Sequence, residues 1–134
     1  MKKFLSLIFL CFSVGVNAQQ YDSDKINKKA IEVYEKAIEM LRDGDMKGAI
    51  PLLKKAYELD NNYADAVLSL GGAYGELKDY QSAVQQYEKG RMMDTFYFRY
   101  YYLPYSINLA GLGRFEDALN SINRFLISSL CKFT

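Results

Sequence analysis

The sequence predicts an all-α fold, an α-solenoid of three helix-turn-helix units stacked side by side. Three observations carry that prediction. The segments "GDMKGAIPLLKKAYELDNNYADA" and "KDYQSAVQQYEKGRMMDTFYFRY" align without a gap, setting Ala49 and Ala83 34 residues apart; a third copy, "GRFEDALNSINRFL", places Ala118 35 residues further on. Within each period apolar residues recur at steps of three and four, in two blocks separated by a turn: Val67, Leu70, Tyr74 and Leu77, then Tyr80, Ala83, Val84 and Tyr87 in the middle copy. The turns carry matching signals, Gly44-Asp45, Lys78-Asp79 and Gly113-Arg114. Gly takes the left-handed conformation that ends a helix, and Asp accepts hydrogen bonds from the free N–H groups that begin the next.

In chain order, residues 1–18 stand apart from this pattern. Lys2 and Lys3 form a basic start, residues 4–16 are an uncharged apolar run, and Val16-Asn17-Ala18 offers small residues for cleavage. That is the layout of a secretory signal peptide, and its apolar run is too short to span a bilayer well. The mature chain, residues 19–134, is expected to begin near Gln19 and to have no membrane span. Cys11 follows Leu10 rather than Gly or Ala, which favours plain cleavage over lipid attachment. Removal of the leader leaves 15 basic against 16 acidic residues. A near-neutral chain has no electrostatic footprint for phosphate backbones, so nucleic acid is excluded as a partner. Cys131 is then the sole cysteine and cannot close an internal disulfide.

The first hairpin spans about residues 30–63, with Asp24 expected to cap it and Pro51 inside its second helix. Pro51 deletes a hydrogen bond to the Lys47 carbonyl, which predicts a mild bend. The second hairpin, about 64–97, has Asn62 as its expected cap. Ahead of the third, about 99–132, runs "DTFYFRYYYLPYS", with seven aromatic side chains between Phe96 and Tyr105. Pro104 lacks an N–H, so the helix is expected to begin late, near residues 101–103. The extra residue of the longer period belongs here. Phe96, Tyr97, Phe98 and Tyr101 are predicted to pack over the inter-hairpin junction; an exposed patch that binds a partner or a sugar polymer is the alternative.

Ala37, Gly71 and Ser106 are small where paired helices must approach, as are Ala49, Ala83 and Ala118 on the second helices. A lone hairpin buries only one stripe, so the units need one another. The end, "NRFLISSLCKFT", leaves Phe125, Leu126, Ile127, Leu130 and Phe133 uncovered. That predicts a fragment of a longer protein, or a protomer whose last helix docks elsewhere, self-association included.

The chain has no His and no Trp. That removes Ser-His-Asp and Cys-His catalysis and most zinc sites, so no catalytic residue, metal ligand or cofactor site is assigned and no enzyme is expected. Asp43 with Asp45, and Glu116 with Asp117, fall at helix junctions where capping explains them. "LGGAYGEL" lies within a helix, not between a strand and a helix as a phosphate cradle requires.

Leu70-Gly71, Tyr74, Ala83 and Tyr87 of the middle copy resemble the tetratricopeptide repeat family, with Val67 at its Trp position and Thr95 at its Pro position. The first copy keeps Ala37, Met40, Gly44, Ala49, Leu53 and Ala56; the third keeps Ser106, Leu109, Gly113, Phe115, Ala118 and Ile122. The resemblance implies a right-handed superhelical stack, with Tyr102 and Tyr105 at buried positions and a concave groove lined by the first helix of each pair. Carried over residue by residue, that groove comprises Ile31, Tyr34, Ile38, Leu41 and Arg42; Asp65, Leu68, Gly72, Gly75 and Glu76; and Tyr100, Leu103, Ile107, Ala110 and Gly111. Gly72 and Gly75 are expected to leave a bare floor for a partner's backbone or helix. The groove lacks the Lys, Asn and Arg with which some members clamp a terminal carboxylate, so a hydrophobic segment suits it better.

The leader followed by "KKAIEVYEKAIEMLRDGDMKGAIPLLKKA" also resembles the amino-terminal region of periplasmic proteins carrying a β-propeller and an OmpA-like domain. The expectation is therefore a non-catalytic protein–protein interaction scaffold of the cell envelope, periplasmic or associated with the outer membrane. A glycan- or cell-wall-binding module using exposed tyrosines is the alternative.

Overall fold

The computed structural model describes residues 20–130. After a 3-10 turn at Ser23–Lys25 come six helices: α1 (Lys28–Arg42), α2 (Met46–Leu59), α3 (Ala64–Glu76), α4 (Tyr80–Met93), α5 (Tyr102–Gly111) and α6 (Phe115–Leu130), with a second 3-10 turn at Tyr97–Tyr101 before α5. Among the described residues there is no strand. Each odd helix packs against the even helix that follows it, and α2 and α4 pack in turn on α3 and α5. This is an α-solenoid of three hairpins. The leader, Cys11, Cys131 and Phe133 lie outside the described residues.

The three hairpin turns are built alike. Gly44, Lys78 and Gly113 have φ of +83°, +61° and +77°. In each turn this residue's N–H and that of the next reach back to the carbonyls of the helix just ended; Asp45, Asp79 and Arg114 donate to Met40, Tyr74 and Leu109 at 2.9, 3.0 and 2.9 Å. These are Schellman closures, which satisfy carbonyls that the helix end leaves free. Asp45 and Asp79 then cap α2 and α4 by accepting from the N–H groups of Gly48 and Ser82.

Two expected caps are corrected. Asn27, not Asp24, caps α1, its side chain accepting from Lys29 N–H at 2.9 Å; Asp24 sits inside the preceding 3-10 turn, which Asp22 caps. Asn62 does not cap α3, which starts after Tyr63 with no side-chain cap. Asn62 instead donates its N–H to Asp60. Pro51 lies on the exposed side of α2, which runs through it unbroken.

Ala49, Ala83 and Ala118 each occupy the fourth position of their helix and are buried, as are Ala37, Gly71 and Ser106 on the partner helices. A Cβ on Gly71 would lie 3.2 Å from the Tyr87 ring, so glycine sets the approach of α3 to α4 there. The aromatic stretch is largely core. Phe98 is fully buried and Tyr105 nearly so, Tyr97, Tyr101 and Tyr102 are half-buried against them, and only Phe96 and Tyr100 are exposed. Pro104 is the third residue of α5, where its missing N–H has no helical acceptor to lose, and the preceding 3-10 turn takes up the longer period.

Candidate functional site

A cavity of about 530 Å³ opens between α3 and α5. It is lined by Leu68, Ser69, Gly72, Ala73, Gly75 and Glu76 of α3 and by Pro104, Ile107 and Asn108 of α5, with Tyr101, Leu41 of α1 and Tyr87 of α4 also in the lining. The walls are mainly apolar because both helices alternate small and aliphatic residues along this side, leaving few side chains long enough to fill the gap. Gly72 is the open part of the floor, since a Cβ there would meet only the Tyr87 hydroxyl at 3.7 Å. Burial, reinforced by Tyr101 and Glu76 nearby, pushes the Tyr87 hydroxyl up to about 12.

Of the groove residues inferred from the sequence, the cavity brings together Leu41, Leu68, Gly72, Gly75, Glu76 and Ile107. Tyr34, Ile38, Arg42, Tyr100 and Leu103 are not among its lining residues. Tyr34 is committed elsewhere: its hydroxyl shares a hydrogen bond with Ser69 Oγ at 3.0 Å and its ring packs at 4.9 Å on Tyr63. Tyr100 lies under the Arg99 guanidinium, which sits 3.9 Å over Phe96 and 4.8 Å over Tyr100.

Packing limits how far three of the groove residues open to a partner. Leu68 is 1% exposed and belongs to the core with Val84, Tyr87 and Phe98. Gly90 of α4 permits this, for a Cβ there would stand 2.4 Å from Leu68 Cδ2; the sequence shows Gly90 as a break in helix propensity but not what it faces. Gly75 is not bare floor. Asn108 fills its space, with Oδ1 at 2.7 Å from where a Cβ would be. Asn108 Nδ2 donates to the Pro104 carbonyl at 2.7 Å, and its buried Oδ1 has no partner. At Gly111, likewise, a Cβ would stand 2.6 Å from the Tyr80 ring of α4.

At the amino-terminal end of α3, Asp65 accepts the hydroxyls of Tyr21 and Tyr97, one on each oxygen. Burial and these bonds to a carboxylate raise both phenols well above the usual tyrosine range. At the other end of the molecule Phe115, Leu119, Leu126, Ile127 and Leu130 of α6 stand exposed. Among the described residues no cluster of His, Cys, Asp and Glu could hold a metal ion, and no helix is long and apolar enough to cross a membrane.

Residues 40–103, just under half of the chain, match the model of the tetratricopeptide repeat family. No curated protein sequence is significantly similar to the chain. Solved structures share its fold. The second TPR of Spaghetti (RPAP3), bound to the HSP90 peptide SRMEEVD, superposes with a TM-score of 0.71 at 17% identity, over 75% of this chain and 92% of that one. MamA gives 0.71 at 24% identity, over 77% of this chain and 60% of its own. SycD, the type III secretion translocator chaperone of Yersinia enterocolitica, gives 0.67 at 20% identity, over 74% of each.

Proposed function

We propose that this chain, whose tetratricopeptide repeat character is supported by both the family match and the shared fold, is a non-catalytic protein–protein interaction scaffold that takes a partner peptide or helix in the groove between α3 and α5. The observation that carries the reading is the open, mainly apolar cavity beside Gly72. Elongated clefts of this kind suit an apolar helix face or an extended segment with few fixed polar contacts. The peptide-bound Spaghetti domain shows that this fold can serve such a purpose in another protein.

The envelope setting belongs to the same proposal and rests on the leader-like layout of residues 1–18. Self-association through α6 is a further part of it, resting on that helix's exposed apolar side chains. Capture from an envelope extract tests the whole. The wild-type chain is expected to enrich one protein, and Gly72→Leu, whose Cβ meets only the Tyr87 hydroxyl at 3.7 Å and whose branch extends into the cavity, to lose it. Retention on peptidoglycan with no protein enriched would transfer support to the glycan-binding alternative.

A further inference from the structure

Tyr21 enters the fold from outside the helices and is held there by three contacts. Its hydroxyl donates to Asp65 Oδ2 at 2.6 Å, its N–H donates to Asp94 Oδ2 at 2.7 Å, and its ring lies 4.8 Å from that of Tyr97. Both carboxylates also accept from the body of the protein. Asp65 takes the Tyr97 hydroxyl, and Asp94 Oδ1 takes the N–H groups of Phe96 and Tyr97 at 2.8 and 2.9 Å. Among the described residues neither carboxylate forms an ion pair, so the donors from Tyr21 supply a large part of what stabilises them.

The same segment repeats this contact one hairpin earlier. Asp60 caps the end of α2 as Asp94 caps the end of α4, 34 residues apart, and its Oδ2 accepts the N–H of Asn27 at 2.9 Å. Residues 20–27 therefore run along successive inter-hairpin junctions, pinned by backbone N–H groups as a bound peptide would be. Between the two anchors the segment does not lie flat. A cavity of about 930 Å³ separates Asp22 and Lys25 from Asn62, Met93 and Thr95, and Ser23, Asp24 and Lys25 are exposed. Ile26 beyond them is 7% exposed in the core with Ala30, Ala56, Tyr63 and Ala66, so local release stops short of Ile26 and concerns the stretch that carries Tyr21 and the exposed residues over open space.

We infer that the corner formed by Asp65, Asp94 and Tyr97 is a binding site for the tyrosine of an extended peptide, occupied here by the chain's own Tyr21 and available to another tyrosine-bearing segment when residues 20–25 lift away. The chemistry is selective. A phenol can donate to Asp65 while its backbone N–H reaches Asp94; a phenylalanine keeps the ring contact and forfeits the bond to the carboxylate. The site stands on these contacts and not on occupancy of the α3–α5 cavity.

The test uses the full-length chain carrying Tyr21→Ala and a fluorescein-labelled peptide of residues 20–27, QYDSDKIN, read by anisotropy. Saturable binding is expected, weakened about ten- to a hundredfold when phenylalanine replaces the peptide's tyrosine. Asp65→Ala in the same chain, which removes the acceptor, is expected to erase that preference, and the wild-type chain to bind less peptide because its own Tyr21 competes. No saturable binding, or equal binding of the two peptides, would overturn the inference. Amide exchange on the wild-type chain decides the matter should Tyr21→Ala unfold: the Tyr21 N–H is expected to be protected, and to lose protection in Asp94→Asn while the helices keep theirs. Exchange of Tyr21 at the free-peptide rate in the wild type would equally overturn it.

Discussion

Lys78 holds the position that glycine fills in the other two hairpin turns, at φ +61°. A side chain in the left-handed region costs roughly 1–2 kcal/mol through contact of its Cβ with the following carbonyl, and glycine avoids this. Lys78→Gly is therefore expected to stabilise the protein by about 1 kcal/mol, visible as a higher urea midpoint with an unchanged slope; an unchanged or lower midpoint would contradict the Schellman geometry. The three turns were legible in the sequence because Gly and Asp act through their own backbone neighbours. Leu68, Gly75 and Gly111 were not, because whether a position on a first helix faces solvent depends on a residue far away: Gly90 lets Leu68 sink, Asn108 fills Gly75, and Tyr80 covers Gly111. Of the groove glycines Gly72 has the most open space, a Cβ there meeting only the Tyr87 hydroxyl at 3.7 Å.

Helices α2, α4 and α6 share a register, and the difference in what covers them sets their energetics. Ile122 of α6 corresponds to Leu53 of α2 and Tyr87 of α4, which are 0% and 2% exposed because α3 and α5 pack over them. Ile122 itself is 36% exposed and its neighbour Leu126 51%. Leu53→Ala is accordingly expected to cost about 2–5 kcal/mol through lost burial and a residual cavity. Leu126→Lys is expected to change stability by no more than about 0.5 kcal/mol; a comparable loss from both in chemical denaturation would mean that α6 is covered in solution. The periodicity gave the existence and pairing of these helices. It could not give the amino-terminal caps, since Asp22, Asp24 and Asn27 are all chemically able to cap and only the placement of the 3-10 turn chooses among them.

For the whole molecule, tyrosines replace much of the aliphatic core at the junction of the second and third hairpins. Burial pushes Tyr87 and Tyr105 up to about 12, with Tyr101 and Glu76 adding to the first and Glu88 to the second. A phenol whose folded value lies above its ordinary 10.0 stabilises the fold fully below pH 10, and that contribution is lost as pH rises through 12. Melting temperature is thus expected to hold to about pH 10 and to fall steeply between 10 and 12, in step with tyrosinate absorbance; full ionisation near pH 10 without loss of helix would contradict a buried aromatic junction. The solenoid and its repeat length could be read from Ala49, Ala83 and Ala118, whose spacing survives any detail of packing. Which stretch between the first helices stays open could not, because it follows from how Tyr87, Tyr101 and Asn108 fill the space between α3 and α5.

The claim that a partner lies in that opening is tested most directly by a photoreactive benzoylphenylalanine placed at Ile107, on the cavity wall, and separately at Lys54, exposed on α2. Irradiation in cells is expected to join one discrete polypeptide to the chain from position 107 and none from position 54. No adduct at 107, or the same pattern from both positions, would contradict it.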